Sequence, residues 1–240
     1  MVASMQKSSF QAPSILDELR ALKNPERALR DQAYHKSTRE HWGIPVPESD
    51  RIARRVKKEL SAAEILQTAQ SLWETNLFDP MICAAKLLST AKLKPSLVLW
   101  DTVVGFLKQV DGWALEDCLA HVAGKCILAD ESLLNELDVW TQHPNFWMRR
   151  AALVYTLPFA KPNRNPERML QWASKYSPDP EWFIQKAIGW WLRDLSEHNP
   201  ERVVLFLIAH WDNLKSVAKK ESMRKLNPSL QKQILNHSCG

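Results

Sequence analysis

Two tryptophans stand where their neighbours give them chemistry: Trp113 comes four residues before Asp117, and Trp190 lies between Lys186 and Arg193. In a helix turning ~100° per residue, both spacings put the indole and the charge on one face. An indole beside a carboxylate can hold a cation or a sugar. An indole flanked by cations is a stacking platform among phosphate-seeking groups. The segment from Asn145 to Leu157 adds a third element, because Trp147, Arg150, Ala151 and Val154 share one stripe while Asn145, Arg149 and Thr156 fall on another. Arg150 therefore has aromatic and apolar neighbours and needs an anionic partner, whereas Arg149 can simply be hydrated.

The elements that position these groups read as amphipathic helices. From Trp113 onward, Leu115, Leu119, Val122 and Cys126 form the buried stripe, and Trp113, Asp117, Ala120, His121 and Gly124 gather opposite. From Trp182 to Leu195, the pattern buries Phe183, Ala187, Trp191, Leu192 and Leu195 and turns Trp182, Lys186, Trp190 and Arg193 outward. Strand-like alternation is absent. Prolines sit where helices should begin, in Asn24-Pro25, Asp79-Pro80, His143-Pro144, Asn165-Pro166, Asp179-Pro180 and Asn199-Pro200, and Ser61 to Glu64 reads as a capping box. Helix starts are predicted near 14, 25, 47, 61, 80, 95, 113, 130, 144, 166, 180, 200, 216 and 228. This implies an all-α chain, a curved solenoid of degenerate antiparallel helix pairs with roughly 12–14 helices.

Size and composition bound the function. A chain of 240 residues with 45% hydrophobic content can bury a substantial core. Residues 1–13 read as a loose tail and 14–240 as one domain. No apolar run approaches the ~20 residues needed to cross a bilayer, and no signal-peptide pattern is present, so a cytoplasmic monomer without membrane contact is expected. Cys83, Cys118, Cys126 and Cys239 show no C-x-x-C pairing, which points to reduced thiols and no metal site. The net charge of +5 is concentrated in two runs. Arg51, Arg54, Arg55, Lys57 and Lys58 form the first, with 51, 54, 55 and 58 along one helix face. Lys215, Lys219, Lys220, Arg224 and Lys225 form the second, interrupted by Glu221. Two such runs suit a polyanion.

The segment Phe183-Ile184-Gln185-Lys186-Ala187-Ile188-Gly189-Trp190, followed by Leu192-Arg193, closely resembles the signature of DNA alkylation repair glycosylases of the AlkD type. Gly43-Ile44 with Pro47, Leu72-Trp73-Glu74, Ala84-Ala85, Trp147 with Arg150-Ala151-Ala152, and Lys219-Lys220-Glu221 agree in order and spacing. The resemblance implies a HEAT-like repeat fold. It also implies release of cationic alkylated purines, of the 3-methyladenine and 7-methylguanine type, from duplex DNA without a base-specific pocket and without a cofactor. By motif it carries the second functional tryptophan to Trp190 and the arginine to Arg150. It places Gln185, Lys186 and Arg193 in the DNA-facing segment, and the basic residues Arg51, Arg54, Arg55, Lys58, Lys219 and Lys220 complete the expected DNA contacts.

The first tryptophan and the catalytic acid fall on Gly112-Trp113-Ala114-Leu115-Glu116-Asp117, where the family writes Trp-Trp-Asp-x-Val-Asp. Trp113 and Asp117 keep the spacing; the preceding Trp and the intermediate Asp are gone. Asp117 is the expected acid because it shares a face with Trp113, with Glu116 as the alternative register. Trp100-Asp101-Thr102-Val103 spells part of the same string one helix earlier, with Val104 in place of the final acid. Two other readings stay open: an inactive paralogue that binds damaged or branched DNA, and a helical-repeat scaffold for another protein.

Overall fold

The computed structural model describes residues 12–237, so the proposed tail up to residue 11 and Cys239 lie outside the described residues. The backbone divides into two compact units, Met1–Cys126 and Ile127–Gly240. The first contains α1 (Ala12–Ala21), α2 (Pro25–His35), α3 (Val46–Val56), α4 (Ala62–Glu74), α5 (Phe78–Thr90), α6 (Leu97–Leu107) and most of α7 (Trp113–Ala129). The second contains α8 (Leu134–Trp140), α9 (Phe146–Val154), α10 (Glu167–Tyr176), α11 (Trp182–Ser196), α12 (Pro200–His210), α13 (Ser216–Met223) and α14 (Pro228–His237). The remaining helical turns among the described residues are short 3-10 segments, and no strand occurs there. Each unit is built of packed helices, the all-α, HEAT-like class expected from the sequence.

Most helix starts agree with the capping chemistry. The Arg27 amide donates to Asn24 Oδ1 (2.9 Å), the Arg202 amide to Asn199 Oδ1 (3.3 Å), and Ser61 and Glu64 close a complete capping box. Helix α1 begins at Ala12, inside the stretch read as tail. Pro166 and Pro180 stand outside their helices, with Asn165 and Asp179 accepting from the Glu167 and Glu181 amides at 3.0 and 2.8 Å. Asp79 departs from the expectation more usefully. It lies inside α5 and, in place of capping it, accepts from the backbone amides of Trp42 (2.6 Å) and Ile44 (2.8 Å).

In the first unit α3 and α4 pack on α5, α1 contacts both α4 and α5, and α6 covers α4. Trp73 and Phe106 stack there 4.1 Å apart and almost parallel. In the second unit α11 is the hub, touching α9, α10, α12 and α13. Its Trp191 is fully buried and donates from Nε1 to the Thr156 carbonyl (3.3 Å). Each such side chain contributes roughly 1.5–3 kcal/mol through burial. Thr156, placed by spacing on the stripe of Asn145 and Arg149, is buried, its hydroxyl donating back to the Ala152 carbonyl at 2.7 Å. The polar group is satisfied by its own helix, so burial costs little.

Candidate functional site

In the first unit a loop decides where the Trp113 face can form. Residues 36–45 connect α2 to α3 and are held by side chains rather than by a ladder. Ser37 Oγ, Thr38 N and Thr38 Oγ1 all donate to Asp111 Oδ2, at 2.8, 3.0 and 3.1 Å. Arg39 pairs with Asp111 and donates from Nε to Asn76 Oδ1 (2.9 Å). Gly43 has φ +73°, and a Cβ there would come within 2.4 Å of the Asn24 carbonyl oxygen, so only glycine lets the loop fold onto the start of α2. Asp111 immediately precedes the turn into α7, which ties the loop to the beginning of the helix that carries Trp113.

The result is a cavity of about 550 Å³ lined by the end of α2, α5 and α7, with Tyr34, His35, Phe78, Lys86, Trp113, Asp117 and His121 among its walls. Tyr34 meets Trp113 edge-on, with centroids 5.4 Å apart, and His35 lies 5.6 Å from the same indole. His41 Nδ1 faces the Arg39 carbonyl (2.9 Å), which can only accept, so this nitrogen carries the proton. His41 Nε2 then accepts from His35 Nδ1 at 3.3 Å. Burial, and secondarily the facing His41, lower the pKa of His35, which favours the neutral ring. Burial pushes the Cys118 thiol up to about 11, so it is no nucleophile at neutral pH.

Trp113 and Asp117 are both partly accessible on this wall, whereas Glu116 is 0% exposed. Ala120 and His121 also lie on the open side as the pattern predicts; Gly124 does not and is buried. Lys86 was missed by sequence reasoning, since it stands alone in an apolar helix. Its ammonium sits 3.4 Å from a carboxylate oxygen of Asp50. Trp100, in the partial repeat of the string, is a core residue at 2% exposure.

In the second unit Arg150 is 3% exposed, with its guanidinium carbon 5.9 Å from the Trp147 ring centroid. Arg149 is not simply hydrated: it pairs with Asp179 (3.1 Å) and donates to the carbonyls of His143 and Pro144. On α11, Lys186, Trp190 and Arg193 are half-buried as a group and Trp182 is 53% exposed. Both cations turn to Glu221 of α13, and Arg193 also pairs with the adjacent Asp194 (3.3 Å). Lys219 lies 4.7 Å from the Trp211 ring centroid and Lys220 is exposed.

Gln185 corrects the sequence reading. It is 0% exposed, its amide nitrogen donating to the carbonyls of Ser177 and Asp179 (both 2.9 Å) and its oxygen accepting from the Lys215 amide (2.9 Å). A side chain used up inside the protein has no edge left for DNA. In the first basic run, Glu18 of α1 receives both Arg51 (3.2 Å) and Arg55 (2.5 Å), while Arg54 and Lys58 are exposed and make no ion pair among the described residues. Arg51 and Arg55 are thus partly neutralised by a neighbour distant in sequence.

Among the described residues no helix is long and apolar enough to cross a membrane, and no group of three or more His, Cys, Asp or Glu is placed to hold a metal ion. The family model described as DNA alkylation repair enzyme matches residues 15–226. Similar solved structures include a predicted DNA alkylation repair enzyme from Enterococcus faecalis, at 27% identity and TM-score 0.73, covering 86% of this chain and 97% of that one. AlkD2 from Streptococcus mutans shares the fold at 20% identity and TM-score 0.54, over 76% of this chain and 91% of its own. No curated protein matches the sequence.

Proposed function

The chain belongs to the DNA alkylation repair enzyme family, and from that premise we propose that it is a monofunctional glycosylase, acting as a cytoplasmic monomer, that releases cationic alkylated purines from duplex DNA. The observation that carries the reading is that Asp117 opens onto the cavity beside Trp113 while the adjacent acid, Glu116, is sealed from solvent. A purine alkylated at ring nitrogen 3 or 7 is already positive. When the bond from C1′ to the base breaks, its electron pair neutralises the departing purine, so no general acid is required. What remains is an oxocarbenium-like sugar that an ionised carboxylate stabilises, and a water that the carboxylate orients and relieves of a proton as it adds to C1′.

Trp113 and Trp190 pack against deoxyribose and attract the positive charge as it moves from base to sugar. Arg150 holds backbone phosphate. Lys186, Arg193, Arg51, Arg54, Arg55, Lys58, Lys219 and Lys220 supply further backbone attraction, and residues 14–240 act as one DNA-binding domain. In this reading selectivity comes from the charge of the lesion, not from a pocket that reads the base, and no cofactor takes part.

The altered string around Trp113, with Gly112 and Ala114 where the family string has Trp and Asp, favours one second reading: a relative that grips damaged or branched DNA without cutting the glycosidic bond. Release of 7-methylguanine from alkylated duplex decides between them. Asp117→Asn is expected to lower the release rate by roughly 10²–10³-fold with DNA affinity retained, while Glu116→Gln, in a folded protein, keeps most of it. Equal turnover by wild type and Asp117→Asn removes Asp117 from the mechanism, and no release by wild type favours the second reading.

A further inference from the structure

Glu221 interrupts the second basic run in the sequence, and in the structure it is the point on which that run converges. Its side chain is 6% exposed and carries ion pairs to Lys186 and Arg193 of α11 and, at 3.1 Å, to Arg224 at the C-terminal cap of α13. Burial alone would push its pKa up, but the Lys186, Arg193 and Arg224 charges outweigh this and hold it below the usual carboxylate range. Helix α13 is seated directly on Gly189, where a Cβ would come 2.7 Å from the Glu221 Cβ and 3.0 Å from the Ala218 carbonyl oxygen. Lys186 and Arg193, by contrast, keep 35% and 21% of their side-chain surface in solvent, one turn before and one turn after Trp190. A phosphate oxygen offers these donors the same kind of acceptor that Glu221 does, so the DNA backbone and the carboxylate compete for them.

We infer that Glu221 is a positioning residue for the DNA backbone: it holds Lys186 and Arg193 on either side of Trp190 and takes up part of their charge, so this face offers phosphate fewer cations than the sequence counts. The inference rests on the DNA-binding reading above. Its consequence is a weakened, geometrically defined grip around the tryptophan, as against a strong and loose one.

The test is the salt dependence of affinity of the full chain for a fluorescently labelled, undamaged duplex, read by anisotropy. Each phosphate contact adds about 0.9 to the slope of log K against log salt. Glu221→Gln keeps the shape and loses the charge; it is expected to tighten binding several-fold at low salt and steepen the slope by about 1. Glu221→Asp keeps the charge and should retain the wild-type slope. Lys186→Met should flatten the slope by less than half as much as Lys220→Met, because Lys186 is already engaged. An unchanged or shallower slope in a folded Glu221→Gln protein overturns the inference and leaves Glu221 as helix packing only. If Glu221→Gln does not fold, the two lysine variants decide, and equal losses overturn it. A wild type that binds no duplex at any salt overturns the DNA-binding reading and this inference with it; one that binds and releases base, with a slope indifferent to Glu221, overturns this inference alone.

Discussion

The two tryptophan faces are built by different means. The Trp113 face depends on a loop, residues 36–45, whose backbone is tied down by the carboxylates of Asp79 and Asp111. The Trp190 face depends on two helices that touch where Gly189 has no side chain. The first is held by directional bonds to buried backbone groups, the second by the absence of atoms. Hydrogen-bonded anchors fail when an acceptor is lost, because the orphaned donors remain buried. Close-packed contacts fail when volume is added.

Each mode of failure can be provoked separately. Replacing Asp79 by alanine strands the Trp42 and Ile44 amides and should cost on the order of 3 kcal/mol, read as a lower urea midpoint. A near-wild-type midpoint would mean that the loop is held elsewhere. Gly189→Ala has a smaller expected cost, about 1–3 kcal/mol, and should disturb the charge cluster around Glu221 while leaving the near-ultraviolet signal of the first unit in place. If that variant is as stable as wild type, α13 is not seated as described.

The smallest effect is a pH dependence. Burial lowers the pKa of His35, His121 and His210 from the ordinary 6.5, with help from His41, Lys125 and Arg202 respectively. For each, the unfolded state takes up a proton more readily than the folded one, so stability is full above 6.5 and declines as pH falls below it toward the lowered folded values. The thermal midpoint should drop between pH 7 and 5, and His35→Gln should shallow that drop. A midpoint flat across this range would contradict the shielding of these rings.

Much of the fold is readable without coordinates because its determinants are local. Asn24 and Asn199 cap the helices that follow them, and Trp113 and Asp117 face one way, since capping and helical periodicity depend on residues three or four apart. The Trp182–Ser196 helix also divides into inner and outer sides much as its pattern predicts. The failures share a cause. Gln185 is placed by the resemblance in the DNA-facing segment but is buried because the carbonyls before α11 and the Lys215 amide converge on it. Gly124 sits on the outer face of the wheel and is covered nonetheless. Lys86 enters a cavity wall that exists only once α2, α5 and α7 have met.

Helical character, the caps and the pairing of an indole with an acid one turn away were thus written in the linear chain, where short-range backbone geometry governs. Which charges remain available to a partner was decided by tertiary structure: Glu18 drains Arg51 and Arg55, and Glu221 drains Lys186 and Arg193. The ion pairs from Glu18 to Arg51 and Arg55 and from Glu221 to Lys186 and Arg193 join residues 28 to 37 positions apart. Coulombic attraction acts through space, and only the folded backbone brings those distances down to contact.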